Sequence, residues 1–421
     1  MFHKEVLPNG IRVVTEEVPH VQSAAIGIWV RTGSRHETPD IHGASHFLEH
    51  LMFKGTARRT AREIAEELEA VGGVLNAFTT KEYTCFYARV LGEHVDLAID
   101  LLSDMLLHSR FAPEDIAREK NVILEEIRMY EDSPDELVHD LFASTIWDGH
   151  PLGRAILGSV DSVASLTREQ IVDYYSRRYR AGNIVIAAAG KINHQALLDK
   201  LAPFAAGELN GGGPDVETRP VPKAETRVVV KDTEQTQICL GTPGLSQEDE
   251  EIYSLNALNG ILGGGVSSRL FQEIRENRGL AYSVYSYHSA YVDSGLLAIY
   301  AGTHPANVKN VVGLILEELA RIKDQGVTGD ELNRIKEQTR GNLLMSMENV
   351  SNRMSRLGKT ELCFDRVISV EEVLEKVRLI DMSQVQQLAA RMFNQGAFAF
   401  SAIGPSQVEI DLEKMQAEAG L

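Results

Sequence analysis

The sequence is short of cysteine. Cys85, Cys239 and Cys363 are three residues in 421, too few and too scattered for a disulfide framework, and their odd number leaves one over. The pattern fits a reducing compartment in which each thiol is a small buried hydrophobe. Basic runs are missing as well. No stretch of Lys and Arg exceeds the pairs Arg58-Arg59 and Arg177-Arg178, and 42 basic residues face 60 acidic ones for a formal charge of −18. Such a chain repels nucleic acid and anionic lipid, so neither is an expected partner. The opening residues, Met1 to Gly10, hold no long apolar stretch and read as a strand leading to a turn. No signal peptide, transit peptide or membrane-spanning helix is visible, which makes the cytoplasm the expected location. Only 13 prolines interrupt a composition that is 43% hydrophobic and 24% charged. Disorder is excluded, and the length suits two or more packed domains.

What is present is a repeat. Leu166 to Tyr179 reads as a helix, followed by Gly182 and an apolar strand from Ile184 to Ala189 that ends at Gly190. Ile380 to Phe393 reads as a second such helix, followed by Gly396 and a strand from Phe398 to Ile403 that ends at Gly404. Tyr179 and Phe393, Gly182 and Gly396, and Gly190 and Gly404 are each 214 residues apart, close to half the chain. Internal duplication is the economical account. The glycine- and proline-rich stretch Gly207 to Pro214, followed by Pro220-Val221-Pro222, cannot sit inside a regular element and reads as a linker. The expected division is therefore 1–214 and 215–421.

Each half mixes strands with long amphipathic helices. Gly10 to Thr15, Ala24 to Val30 and two successive runs within Val74 to Val90 alternate as strands, while Thr60 to Ala70 and Val95 to His108 have helical periodicity. The order is not a steady strand–helix alternation. It predicts an α+β fold, a mainly antiparallel sheet in each half with helices packed on one face, rather than a doubly wound parallel sheet.

The strongest local signal is His46-Phe47-Leu48-Glu49-His50. On a helix, positions 46 and 50 are one turn apart, so both imidazoles can share a metal. Glu49 falls beside that face, where a carboxylate can take a proton from a metal-activated water. The order is the reverse of His-Glu-x-x-His. A catalytic zinc usually takes three protein ligands, so a third is needed. A helix opening at Pro113 carries Glu119 and Glu126 on one face, seven residues apart, with Glu125 turned roughly a third of a turn away. One ligand and one supporting carboxylate would suit that pair. Spacing alone also fits ordinary helix-surface glutamates. His42 precedes Gly43 and reads as a loop residue rather than a ligand.

The run Gly43-Ala44-Ser45-His46-Phe47-Leu48-Glu49-His50-Leu51-Met52-Phe53-Lys54-Gly55-Thr56 resembles the active-site helix of the pitrilysin family, which includes insulin-degrading enzyme and mitochondrial processing peptidase. Further stretches agree, and the likeness spans nearly the whole chain. It implies one Zn2+ per chain on His46, His50 and Glu126, Glu49 as general base, and Glu119 as a supporting carboxylate. It also implies two homologous halves that together form half of a clamshell. Gly72 to Thr80 resembles the family's substrate edge strand, which puts Asn76, Ala77 and Phe78 against an extended peptide. Ser268 to Ser283 resembles a second motif, in which Arg275 and Tyr282 bind substrate and steady the developing oxyanion.

At the repeat position of the histidines, the second half offers Asn259 to Leu262, and a 216-residue offset carries Glu119 and Glu126 onto Ile335 and Asn342. The second half thus has the framework without the ligands. Residues 1–214 are expected to be a zinc-binding catalytic domain, and 215–421 a metal-free homologue carrying Arg275 and Tyr282. By the family's architecture the chain is expected to form a homodimer around a shared chamber, each Arg/Tyr pair serving the other chain's metal. The expected reaction is peptide-bond hydrolysis. A non-catalytic partner subunit and a zinc hydrolase of non-peptide substrates are the rivals. The intact ligand set argues against the first, and the edge-strand motif against the second.

Overall fold

The alternating stretches of the first half pair into one sheet. In the computed structural model, which describes residues 2–206, 209, 218–394 and 396–421, the strands are Phe2–Val6 (β1), Arg12–Glu17 (β2), Ser23–Val30 (β3), Val74–Thr79 (β4), Thr84–Leu91 (β5) and Ile184–Gly190 (β6). Their order is β1-β2-β6-β3-β5-β4, with β2 and β6 parallel and the other pairs antiparallel. The second half forms Thr226–Val230 (β7), Thr236–Pro243 (β8), Ala281–Ala290 (β9), Gly295–Thr303 (β10) and Ala399–Gly404 (β11), in the order β7-β11-β8-β10-β9. Apart from β1 the two sheets have one topology, down to a single parallel pair, β7 with β11, in the second. The duplication is real in three dimensions. The expected linker 207–214, Leu209 excepted, lies outside the described residues.

Central strands are apolar along their whole length because both sheet faces are covered. In β6, Ile184, Ile186 and Ala188 join the main core of the first half, while Val185, Ala187 and Ala189 face the opposite side. The main core is filled by helices that include Ala44–Met52 (α1), Ala61–Glu69 (α2), Val95–His108 (α3) and Pro113–Glu131 (α4). One further helix, Val350–Phe364, covers the other face. Its Val350, Met354, Leu357 and Leu362 pack on Val14, Trp29, Cys85 and Val185. The counterpart, Pro134–Ile146 (α5), lays Val138, Phe142 and Ile146 against Cys239, Ala298 and Ile403 of the second sheet. Each half therefore lends one helix to the other's sheet.

A single cut near residue 214 does not follow this packing. One compact unit comprises Met1–Arg128, Ala155–Glu217 and Leu343–Ile368, the other Met129–Arg154, Thr218–Asn342 and Ser369–Leu421. The reason is that helix Val350–Phe364 and α5 bury their apolar faces on sheets far from them in sequence. The α+β expectation holds, with helices massed on one face, and the structure adds the lone helix on the other. All three cysteines are free, with Cys85 and Cys239 buried. No described helix is long and apolar enough to cross a membrane.

Candidate metal centre

Helix α1, which carries His46, Glu49 and His50, starts abruptly. Gly43, its N-cap, has φ +96°, and a Cβ there would lie 2.9 Å from the Leu157 carbonyl oxygen, so both conformation and space call for glycine. Buried Glu37 supplies the missing cap. Its carboxylate accepts from the backbone N–H of Gly43 at 2.8 Å and of Ser45 at 2.7 Å, placing negative charge at the helix's positive end. Phe47, Leu48, Leu51 and Met52 then enter the core, leaving His46, Glu49 and His50 on the opposite side. Gly55 lies beyond the helix. The helix ends at Met52, and Gly55 makes a bridge to Thr60 with φ +126°.

The two imidazoles and Glu126 converge. His46 Nε2 lies 3.8 Å from Glu126 Oε1, and His50 Nε2 lies 3.6 Å from Glu126 Oε2. These three residues form the one cluster of metal-competent donors found among the described residues, with ligand atoms within 4.8 Å of one another. Tetrahedral zinc bonds of ~2.1 Å separate ligands by about 3.4 Å, so donor atoms within 4.8 Å of one another have only to draw together to close on an ion. Two imidazole nitrogens and a carboxylate are also the donor chemistry zinc takes. Burial, helped by the neighbouring His50, depresses the His46 pKa to about 3, so its ring stays neutral with a free lone pair. Glu126 is partly exposed, so the site opens to solvent on that side.

The carboxylates sort themselves. Glu119 is buried and accepts from His50 Nδ1 at 3.1 Å, and its other oxygen meets Lys54 Nζ at 2.8 Å. Glu125, one residue from Glu126, turns outward and pairs with Arg128. Glu49 is not among the ligands. It accepts a 2.5 Å hydrogen bond from the Thr79 hydroxyl, and burial raises its pKa above the usual carboxylate range despite that bond. His42 donates to the Ala155 carbonyl at 2.8 Å, outside the ligand group.

Thr79 ends β4, an edge strand that among the described residues pairs with β5 alone. Along β4, Leu75 and Ala77 turn toward the main core, while Asn76 is exposed. The Asn76 side-chain oxygen accepts from the Ala77 N–H at 2.8 Å. Phe78 belongs to the same strand. Its ring packs on Trp29, Tyr83 and Tyr87 on the opposite face, so only its backbone is left to the edge.

Arg275 and Tyr282 lie in the second unit. Arg275 stands on a π-helical segment, Phe271–Glu276, and its guanidinium lies between the rings of Phe271 at 4.7 Å and Tyr282 at 4.8 Å. The nearest carboxylate, Glu276, is 3.9 Å away, and Tyr282 is 77% exposed at the start of the edge strand β9. Tyr282 is therefore presented outward, with Arg275 partly exposed beneath it. Thr79, Lys54 and Glu37 were not legible as site residues. Lys54 stands four places after His50, a weak helical-spacing signal, while Thr79 and Glu37 offered none.

Known proteins place this arrangement in a class. The family model described as Insulinase (Peptidase family M16) matches residues 12–160, and that of the Peptidase M16 inactive domain matches 165–339. The chain belongs to peptidase family M16, and the pitrilysin-type resemblance is borne out. It is 45% identical to the uncharacterized zinc protease YmxG of Bacillus subtilis over 406 residues, covering 96% of this chain and 99% of that one. An uncharacterized zinc protease of Streptomyces coelicolor is 43% identical over 412 residues, covering 96% and 89% respectively. A Pseudomonas fluorescens structure described as a peptidase M16 inactive domain shares the fold, with TM-score 0.90 at 21% identity over 97% of this chain and 99% of that one. A protease from Helicobacter pylori aligns with TM-score 0.88 at 23% identity, covering 96% and 99%.

Proposed function

We propose that the chain is a zinc-dependent endopeptidase of unfolded peptides, with one Zn2+ on His46, His50 and Glu126 and with Glu49 as general base. The observation that carries this reading is the convergence of both Nε2 atoms on the Glu126 carboxylate, with Glu49 beside them and outside the set. Bound by these three residues, zinc would supply Lewis-acid chemistry, making water acidic enough to attack at neutral pH and polarising the scissile carbonyl. Glu49 takes the proton of the attacking water and hands it to the leaving amine. The Thr79 hydroxyl holds the Glu49 carboxylate in place for both transfers. The free edge of β4 receives the peptide as an added strand, through the backbone of Asn76, Ala77 and Phe78, so recognition depends little on side-chain sequence.

Arg275 and Tyr282 supply donors to the oxygen that gains negative charge. Each chain of a homodimer offers this pair to the metal centre of the other, around a shared chamber that admits extended chains and excludes folded ones. The exposure of Tyr282 and the stacking of Arg275 on its ring support this part.

The test is cleavage of a quenched, unstructured peptide by zinc-loaded protein, with Glu49→Gln purified alongside. The variant is expected to keep its zinc and lose on the order of 10²–10⁴ in kcat. Parent-like turnover by the variant would remove Glu49 from its role, and a parent chain that neither binds zinc nor cleaves would sink the reading.

A further inference from the structure

The two imidazoles at the metal centre are not held alike. His50 donates from Nδ1 to Glu119 Oε2 at 3.1 Å. The Nδ1 atom of His46 is buried and has no hydrogen-bond partner among the described residues. Glu119 is thus the group that sets tautomer and rotation in this pair of rings, acting on His50 alone. It does so across 69 residues, from a different helix. A carboxylate attached by one oxygen is free to swing about its own stem. Glu119 is not so attached, because Lys54 Nζ holds Oε1 at 2.8 Å while Oε2 meets the ring.

Lys54 is itself fixed from behind. The segment after it is tied to Asp104, whose side chain is fully buried. Thr56 donates to Asp104 Oδ2 at 2.6 Å, and Arg58 and Arg59 each reach an Asp104 oxygen at 2.9 Å. The Lys54 stem lines the wall of an open cavity of about 450 Å³ with Phe53, Ile64 and Leu68. Changing its head group therefore leaves no sealed void in the core.

We propose that Lys54 is a positioning residue of the metal centre: it occupies one oxygen of Glu119 so that the other stays on His50 Nδ1, keeping His50 Nε2 aimed at Glu126. Lys54 touches neither metal ligand nor substrate and acts only through Glu119. A cation suits the task because it forms a charge-assisted bond to the one oxygen that His50 leaves free. The inference rests on the zinc reading above.

The experiment measures zinc affinity of the full chain by competition with a chromophoric chelator. Parent, Lys54→Met, Lys54→Arg, Glu119→Gln and the Lys54→Met/Glu119→Gln double variant are compared. Lys54→Met is expected to bind zinc about tenfold more weakly, as losses beyond the direct ligands do. Lys54→Arg should keep most of the affinity, and the double variant should bind no more weakly than Glu119→Gln alone. Melting of each metal-free protein reports on folding, and Lys54→Gln carries the same comparison if Lys54→Met does not fold. Parent-like affinity in the charge-removed variant overturns the proposal, as does a full additional loss in the Glu119→Gln background. A parent chain that binds no zinc removes the metal reading and this inference together, whereas a zinc-binding parent matched by Lys54→Met removes this inference alone.

Discussion

At the scale of single residues, burial acts in opposite senses on the two kinds of group at the centre. It keeps His46 neutral and therefore able to ligate, and it raises Glu49 above the ordinary carboxylate range. If Glu49 is the base proposed above, it must be ionised to accept a proton, so activity should fall as pH drops through its raised pKa. The Thr79 hydroxyl bonds the ionised form and opposes the rise. Thr79→Val is thus expected to move the acidic limb of kcat/KM to higher pH and to lower kcat about tenfold, since a hydrogen bond to a charged group contributes ~1.5–3 kcal/mol. Thr79→Ser should restore both. A pH–rate profile checks this, and an unmoved acidic limb in Thr79→Val would contradict it. The ligand pair was legible because His46 and His50 are one helical turn apart. Thr79 was not, because a contact made 30 residues away depends on how a strand is laid against a helix.

Among the elements, α1 and β4 divide the work. The helix needs Gly43 in a left-handed conformation and the Glu37 carboxylate over its first N–H groups, and its apolar side is sunk in the core. That arrangement leaves the metal-facing side rigid. The strand offers a free edge whose backbone groups alternate between β5 and the outside. If a peptide adds to that edge, N-methylation of the substrate should abolish cleavage at every second position near the scissile bond and spare the positions between. A series of singly N-methylated peptides tests this, and uniform tolerance would remove strand addition from the mechanism. Element positions were well marked by periodicity: Val95–His108 was read to the residue, and capping by Thr60 opens α2 as its sequence suggests. The side taken by each residue of β4 was less plain. Phe78 keeps its backbone in the edge strand, while the two-residue period turns its ring to Trp29 on the other face.

For the whole molecule, duplication has been followed by division of labour. Both halves keep the same strand order, but among the described residues the donor cluster lies in the first alone, and the second presents Arg275 and Tyr282. The exchange of helix Val350–Phe364 and α5 makes each compact unit depend on both halves of the sequence. Gly358 shows how close the fit is, since a Cβ there would lie 2.2 Å from Trp29 Nε1. If each Arg/Tyr pair serves the other chain, two inactive variants should rescue one another. Glu49→Gln and Arg275→Ala, mixed equally and allowed to exchange subunits, should recover about a quarter of the parent rate, because half the dimers are mixed and each has one intact site. Peptide turnover after exchange, with native mass spectrometry to count mixed dimers, is the measurement. Mixed dimers without recovered activity would refute the shared site.

The sequence by itself determined the local chemistry: a helix with His46, Glu49 and His50 on one side, a second with Glu119 and Glu126 on one face, and a repeat of about 214 residues. Those features depend on periodicities of 3.6 and 2.0, which are written along the chain. Tertiary structure alone decided that Lys54 meets Glu119, that Thr79 reaches Glu49, that Glu37 caps α1, and that one helix from each half crosses to the other sheet. These contacts are set by which apolar faces bury against which, and that choice is made across tens to hundreds of residues, where no local spacing records it.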